Sequence, residues 1–287
     1  MAIRDDSLVR DPRACFGLAV LGLAVLAAVL APLLAVDPSV QRDIVATRFL
    51  APLSTDVHGT FHLLGTDRFG RDVWARLVFG ARVSLGVGVL AVLVSVAIGL
   101  AVGAAAGFWQ GRVGVVLLGL TDFALALPRV VLLLLLASLW QPSAALVIGV
   151  LGITGWMTIA RLVNGEVRAL SARPFVESAV ALGMPGPRVL VRHILPNALT
   201  PVIVAAALGV GNAIMLEAGL SFLGLGVQPP TPSWGNLIAS GRDTLVNAPW
   251  VATAPGVALV LVVVAATLLG DAVRDRLDPA QRRNEAG

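Results

Sequence analysis

The sequence predicts an all-α polytopic membrane protein with about six transmembrane helices, and three observations lead there. Hydrophobic residues fill 57% of the 287 positions and charged residues only 13%, against about 25% charged in soluble domains. Mean hydropathy is +0.88. The apolar residues also gather into separate runs, each near the ~20 residues a helix needs to cross a bilayer. The polar remainder is too short and scattered for a second folded domain, so residues 1–287 read as a single membrane domain.

Charge and cysteine content narrow the function classes. All 21 basic residues are Arg. In a membrane protein such charge points to orientation and to anionic lipid headgroups rather than to nucleic acid. No aromatic residues interleave with a basic groove, and Tyr is absent. A single cysteine, Cys15, excludes an internal disulfide and a Cys-based metal cluster. A phosphate-binding Walker loop requires a lysine, so a chain without Lys carries no P-loop ATPase site. His-Glu-x-x-His and Gly-x-Ser-x-Gly are also missing, which argues against an enzyme.

The elements follow in order. Residues 1–14 are a polar, Arg-bearing tail, and Cys15 to Val36 form a first, uncleaved span. Residues 37–83 are the longest polar segment. Within it Val73, Trp74, Leu77 and Val78 suggest an amphipathic helix at the membrane surface, with Arg71, Arg76 and Arg82 among the headgroups. His58 and His62 have the spacing of a metal pair only if helical; Gly59 and Thr60 argue against that, so we expect a solvated loop and no metal. Ser84 to Phe108 is a second span, on which Gly99, Gly103 and Gly107 repeat every four residues and predict close helix packing. A third span, Val113 to Trp140, should kink at Pro128. Asp122 and Arg129, seven apart, share one face of it; they are either functional intramembrane charges or interfacial side chains that snorkel. Ser143 to Val163 makes a fourth span.

Ser171 to Ala198 is too polar for a bilayer and too patterned for a slack loop. Phe175, Val176, Ala179 and Leu182 form an apolar stripe that Arg173 and Glu177 avoid. Pro174 suits a first helical turn and Gly183 the residue past a helix end. Pro185-Gly186-Pro187 then turns the chain, and Val189, Leu190 and Ile194 mark a second short helix before Pro196. Two readings stand side by side, a helix laid in a partner's groove and an interfacial amphipathic segment without a partner. Val202 to Leu220 forms a fifth span with Glu217 near its far end. A Gly- and Pro-rich loop over 221–250 and a sixth span, Val251 to Leu269, complete the chain. Trp234 and Trp250 suit an interfacial belt.

Orientation comes from Arg. With the N-terminus inside, 13 arginines fall on the cytoplasmic side and seven outside, Arg129 being left between them. Residues 1–14 and 164–198 are then cytoplasmic, and 37–83 and 221–250 external.

Several blocks resemble one family. Glu177-Ser178-Ala179, Gly183 and Ile194-Leu195-Pro196 resemble the EAA loop of ABC-importer membrane subunits, with Ser178 in place of the middle Ala. His193 to Asn197 has the form usual in the dipeptide/oligopeptide/nickel branch. His62 to Leu85 (HLLGTDRFGRDVWARLVFGARVSL) resembles the N-terminal block of that branch, with Ala75 where Ser is usual. Ala160 to Leu170 resembles its "AR..RGEV" run, with Asn164 for Arg. Leu220 to Gly235 (LSFLGLGVQPPTPSWG) and Gly270 to Ala280 (GDAVRDRLDPA) match its later blocks. Together they cover roughly residues 62–280.

The resemblance implies a type I ABC-importer permease, in a prokaryotic cytoplasmic membrane, that carries dipeptides, oligopeptides or a nickel chelate. It implies ATPase coupling through Phe175, Glu177, Ala179, Gly183, His193, Ile194 and Pro196. Implied partners are a second homologous permease subunit, two P-loop ATPases that bind the ATP and Mg, an external binding protein, and lipid. No cofactor is expected in this chain itself. Gln228, Pro230, Trp234 and Arg242 are candidate contacts to the binding protein at an external mouth, against the plainer reading of a connecting loop. Asp122 and Glu217 are candidates for the translocation path. The alternative is an ion-coupled secondary transporter that uses Asp122 and Glu217.

Overall fold

In a computed structural model, residues 11–41 and 43–277 are described. The distal part of the N-terminal tail, Arg42 and the chain from Asp278, including the end of the Gly270 to Ala280 block, lie outside them. The regular elements of the described residues are helices apart from one two-stranded ribbon, β1 (Ser54–Thr55) antiparallel to β2 (Phe61–His62).

The helices are α1 (Pro12–Val29), α2 (Ala31–Leu34), α3 (Ile44–Thr47), α4 (Val73–Phe108), α5 (Arg112–Ala126), α6 (Arg129–Ser138), α7 (Ala144–Ser171), α8 (Pro174–Ala181), α9 (Gly186–Val189), α10 (Leu195–Phe222), α11 (Trp234–Arg242) and α12 (Trp250–Leu277). Five of them, with α9 and α10 taken as one, are long and apolar enough to cross a membrane, and the pair α5–α6 makes a sixth if counted as one span.

The backbone chemistry sets the boundaries. Asp72 caps α4 by accepting from the Ala75 amide, and no proline interrupts the next 36 residues. The expected surface helix is therefore not separate: it is the first turns of α4, continuous with the span. Its arginines are not all at headgroups either. Arg71 and Arg76 are buried on Asp67, and only Arg82 is exposed.

The third span is broken, not kinked. A proline disfavours helical geometry at the residue before it, and Leu127 is extended at φ −75°, ψ 133°. The axes of α5 and α6 meet at 86°.

Between α9 and α10 lies a π-helical stretch, Leu190–Ile194, in which the Leu195 amide donates to Leu190 five residues back. Such a wide turn absorbs Pro196, which has no N–H to give. The expected second short helix before Pro196 therefore runs on into the span, giving continuous helix from Gly186 to Phe222.

The core is built around α4 and α7, which pack along their length, with α10 against both α4 and α12, and α1 against α12 and α4. The three glycines set that spacing. A Cβ on Gly99 falls 2.6 Å from Ile159 Cβ, one on Gly103 falls 2.5 Å from the Ala160 carbonyl, and one on Gly107 falls 2.8 Å from Val167 Cβ. Bare backbone on α4 admits α7 at a distance that no side chain allows.

Candidate functional site

The stretch after α7 folds as a short helix with both ends specified. Pro174 opens α8 at its first position, and Glu177 sits in the first turn, where a carboxylate is favourable to the helix dipole. At the other end Gly183 adopts φ +79°. Its amide donates to Val180 and the Met184 amide to Ala179. This is the six-to-one, five-to-two pairing of a Schellman stop, which needs a left-handed residue where glycine carries no Cβ penalty.

The apolar stripe splits between two destinations. Val176 and Ala179 are buried against Ile159, Val163 and Val167 of α7 and against Val189, Leu190, Ile194 and Ala198. Phe175, Val180 and Leu182 face outward at 43%, 57% and 87% exposure, beside exposed Glu177 and Ser178. Ala179 and Ile194 thus hold α8 to its own chain and present nothing to a partner. His193 is half-buried with Nδ1 enclosed and unpaired, while Pro196 is exposed. Val180 was missed because it lies off the stripe. The sign available in the sequence was an apolar residue between Glu177 and Leu182 on a short helix with charged flanks. The turn after α8 rests on the end of α4, where a Cβ on Gly186 would lie 3.3 Å from the Phe108 ring. Arg173, Arg188 and Arg192, before and after α8 in the chain, are exposed as well.

The loop over 221–250 is not an open mouth throughout, because it contains α11. Ser233 and Asn236 form a reciprocal capping box there. Trp234 is not an interfacial side chain: it is 3% exposed, its indole donates to the Leu77 carbonyl, and its amide donates to Ser84 Oγ. Gly235 lets α11 sit directly on α10, since a Cβ there would fall 2.6 Å from Ala218. Gln228, Pro230 and Arg242 remain exposed. Arg242 pairs with exposed Asp243 and lies 5.7 Å from the Phe222 ring.

The membrane-depth charges part company. Glu217 is fully enclosed and accepts from Ser84 (2.9 Å) and Ser221 (2.7 Å). It joins α4, α10 and the α11 loop and faces no open path within this chain. Asp122 forms an exposed ion pair with Arg161 at 2.8 Å. The break at Pro128 carries Arg129 off Asp122's face, so the pair expected from their spacing does not form. An ion-coupled mechanism on Asp122 and Glu217 finds one residue paired at the surface and the other enclosed.

On the other side, Asp67 binds Arg71 at 2.7 Å and Arg76 at 3.1 Å, all three buried. His62 lies 2.6 Å from Asp72 and 3.5 Å from Asp56. His58 and His62 stand on a hairpin, not a helix. Among the described residues no group of three or more His, Cys, Asp or Glu is placed to hold a metal ion.

Comparison with known proteins agrees with this architecture. Residues 77–283 match the family model described as binding-protein-dependent transport system inner membrane component, and residues 6–52 match that of the N-terminal TM domain of oligopeptide transport permease C. The dipeptide transport system permease protein DppC of Alkalihalophilus pseudofirmus is 35% identical over 96% of this chain and 88% of its own. The di/tripeptide transport system permease protein DppC of Pseudomonas aeruginosa is 38% identical over 96% of this chain and 90% of its own. The glutathione transport system permease protein GsiD of Pectobacterium atrosepticum is 38% identical over 76% and 72%. The chain therefore belongs to the family of binding-protein-dependent transport system inner membrane components, the multi-pass membrane permeases of ABC importers.

Proposed function

We propose that this chain is one half of a peptide importer's membrane pathway, with α8 as the element on which an ATPase subunit acts. The observation that carries this is the outward face of α8. Phe175, Val180 and Leu182 stand exposed beside Glu177 on a helix whose other face is locked into the chain's own core. An apolar helix face rimmed by charge fits a groove on a partner, and the anchored face passes its movement to α7 and α10. Two P-loop ATPases supply ATP and Mg, and a second homologous permease subunit completes the path. The cargo class follows the relatives, whose names specify dipeptides, di- and tripeptides and glutathione.

The orientation belongs to the same proposal: both termini and residues 164–198 cytoplasmic, 37–83 and 221–250 external, within a single domain. An external binding protein then meets Gln228, Pro230 and Arg242. Cysteine labelling should reach residue 54 from outside and residue 186 from inside; the reverse at either position overturns the topology.

The coupling test uses the assembled complex in reconstituted membranes. Gly183→Val forces a β-branched residue to φ +79°, so peptide-stimulated ATP hydrolysis and uptake should fall together while the membrane subunits stay inserted. Glu177→Lys should loosen ATPase retention more than Glu177→Gln, because it adds repulsion to lost attraction. Wild-type retention and stimulated hydrolysis in both position-183 and position-177 variants leave α8 a surface helix without a partner.

A further inference from the structure

Arg129 opens α6 immediately after the break, and its side chain enters a cavity of about 160 Å³ between α4, α7 and α10. Ser95, Gly155, Thr158, Gly209 and Asn212 line it too. Gly155 packs directly on Ser95, since a Cβ there would fall 2.3 Å from Ser95 Oγ, and Arg129 Nη2 lies against the same point at contact distance, 3.4 Å.

The cavity lies deep. Ser95, Gly155 and Asn212 are each at least ten residues from the nearer end of their helices. At 1.5 Å per residue that is about 15 Å, half the ~30 Å hydrocarbon thickness. The site also opens sideways, since Thr158 and Asn212 are exposed on this chain. Exposed Thr and Asn beside a half-buried Arg at such depth do not face lipid tails; they face water or protein, as the wall of a path does.

The charge has no answer among the described residues. Arg129 forms no ion pair among the described residues, and its Nε is enclosed without a hydrogen-bond partner. A guanidinium withdrawn from water at this depth calls for an anion, and its planar fork matches a carboxylate through two parallel hydrogen bonds. The volume admits a carboxylate and part of one residue, at about 30 Å³ per water displaced.

We propose that Arg129 binds the C-terminal carboxylate of the peptide as it passes mid-membrane, with Thr158 and Asn212 beside it. This rests on the peptide-permease reading above and deepens it: the path selects for a free carboxyl end independently of the external binding protein.

The experiment uses this chain assembled with its second permease subunit and ATPases, with Cys15→Ser and Thr158→Cys introduced. Labelling of residue 158 is read by mass. An anionic methanethiosulfonate reagent should outpace a cationic one at least about threefold. Trialanine should slow labelling and trialanine amide should not. Arg129→Gln should abolish both differences, and Arg129→Lys should keep them. With Thr158 restored and the binding protein added, trialanine uptake should fall at least about tenfold in Arg129→Gln and by less in Arg129→Lys, which keeps the charge but loses the two parallel hydrogen bonds.

Equal labelling by the two reagents, or equal protection by acid and amide, overturns the proposal. Loss of the second permease subunit from Arg129→Gln on purification also overturns it, by assigning the counter-charge to that subunit. Anionic preference with no peptide uptake in the wild type refutes the peptide reading itself and leaves an anion site for another cargo.

Discussion

Asp67 neutralises two buried arginines, and replacing it with Asn tests that directly. Its Oδ1 accepts from the Phe69 and Arg71 amides at 2.8 and 3.0 Å. Its Oδ2 accepts from Arg71 Nε at 2.8 Å and from Arg76 Nη1 at 3.1 Å. Asn keeps the turn-forming oxygen but aims an NH₂ group at guanidinium donors, leaving two arginines, 6% and 1% exposed, without an anion. Removing one partner of a buried ion pair costs about 3–5 kcal/mol. Because 1.4 kcal/mol is a factor of ten, Asp67→Asn should speed hydrogen exchange at Phe69, Arg71 and Val73 more than about a hundredfold if these amides open with the loop. Adding Arg76→Met removes one stranded cation and should return at least about tenfold of that loss. The measurement is amide exchange by mass spectrometry on the purified complex. Exchange within about threefold of wild type in Asp67→Asn, or faster exchange in the double variant, refutes the electrostatic account.

Gly103→Ala should destabilise the α4–α7 contact by about 1–3 kcal/mol, the usual cost of overpacking, since its Cβ meets the Ala160 carbonyl at 2.5 Å. Gly86→Ala, with nothing within 4 Å, is the control, and both are read as detergent melting temperature. Glu217→Gln should fold and insert normally because it keeps an acceptor for Ser84 or Ser221, whereas Glu217→Leu should lose about 1–3 kcal/mol through stranded polar groups; the same melting assay ranks them. In the β1–β2 ribbon, burial raises the Asp56 carboxyl's pKa, but the Thr60 and His58 amides and His62 outweigh it and hold it below the ordinary 3.8. A lowered value in the folded state means stabilisation present above the ordinary value and lost as pH falls through the folded one. Exchange at Gly59 and Thr60 should therefore accelerate below about pH 4, beyond the intrinsic rate, and Asp56→Asn should remove that pH dependence.

The sequence was most legible where one local rule decides the outcome. Pro174 and Gly183 bracketed α8 because a proline suits a first turn and a left-handed stop suits glycine, and both act within a few residues. The glycine repeat of α4 was readable for the same reason. Legibility failed where the second partner is distant in the chain. Arg76 reads as a headgroup contact until Asp67 folds back over it. Glu217 reads as a path residue until Ser84, 133 positions earlier, reaches it. The stripe on α8 failed differently: periodicity shows that residues share a face, but not whether the surface met is the chain's own core or another protein. At Pro128 the pattern signalled a bend, yet only packing of α6 against α7 fixes how far it turns.

The unbroken helix from Gly186 to Phe222 has a mechanical consequence. Its 37 residues make a rod of about 55 Å. One end sits beside the turn after α8, and the other carries Glu217 and Ser221 under the α11 loop. Beyond Pro201 the run to Phe222 is about 30 Å long, so a tilt of about 10° there sweeps its far end through about 5 Å, half a helix diameter. Its soft points, the π-helical stretch and Pro201, both lie toward the Gly186 end. Flexure is therefore confined near the handle, and the shaft beyond Pro201 turns as one stiff piece, taking Asn212 and the floor beneath the α11 loop with it.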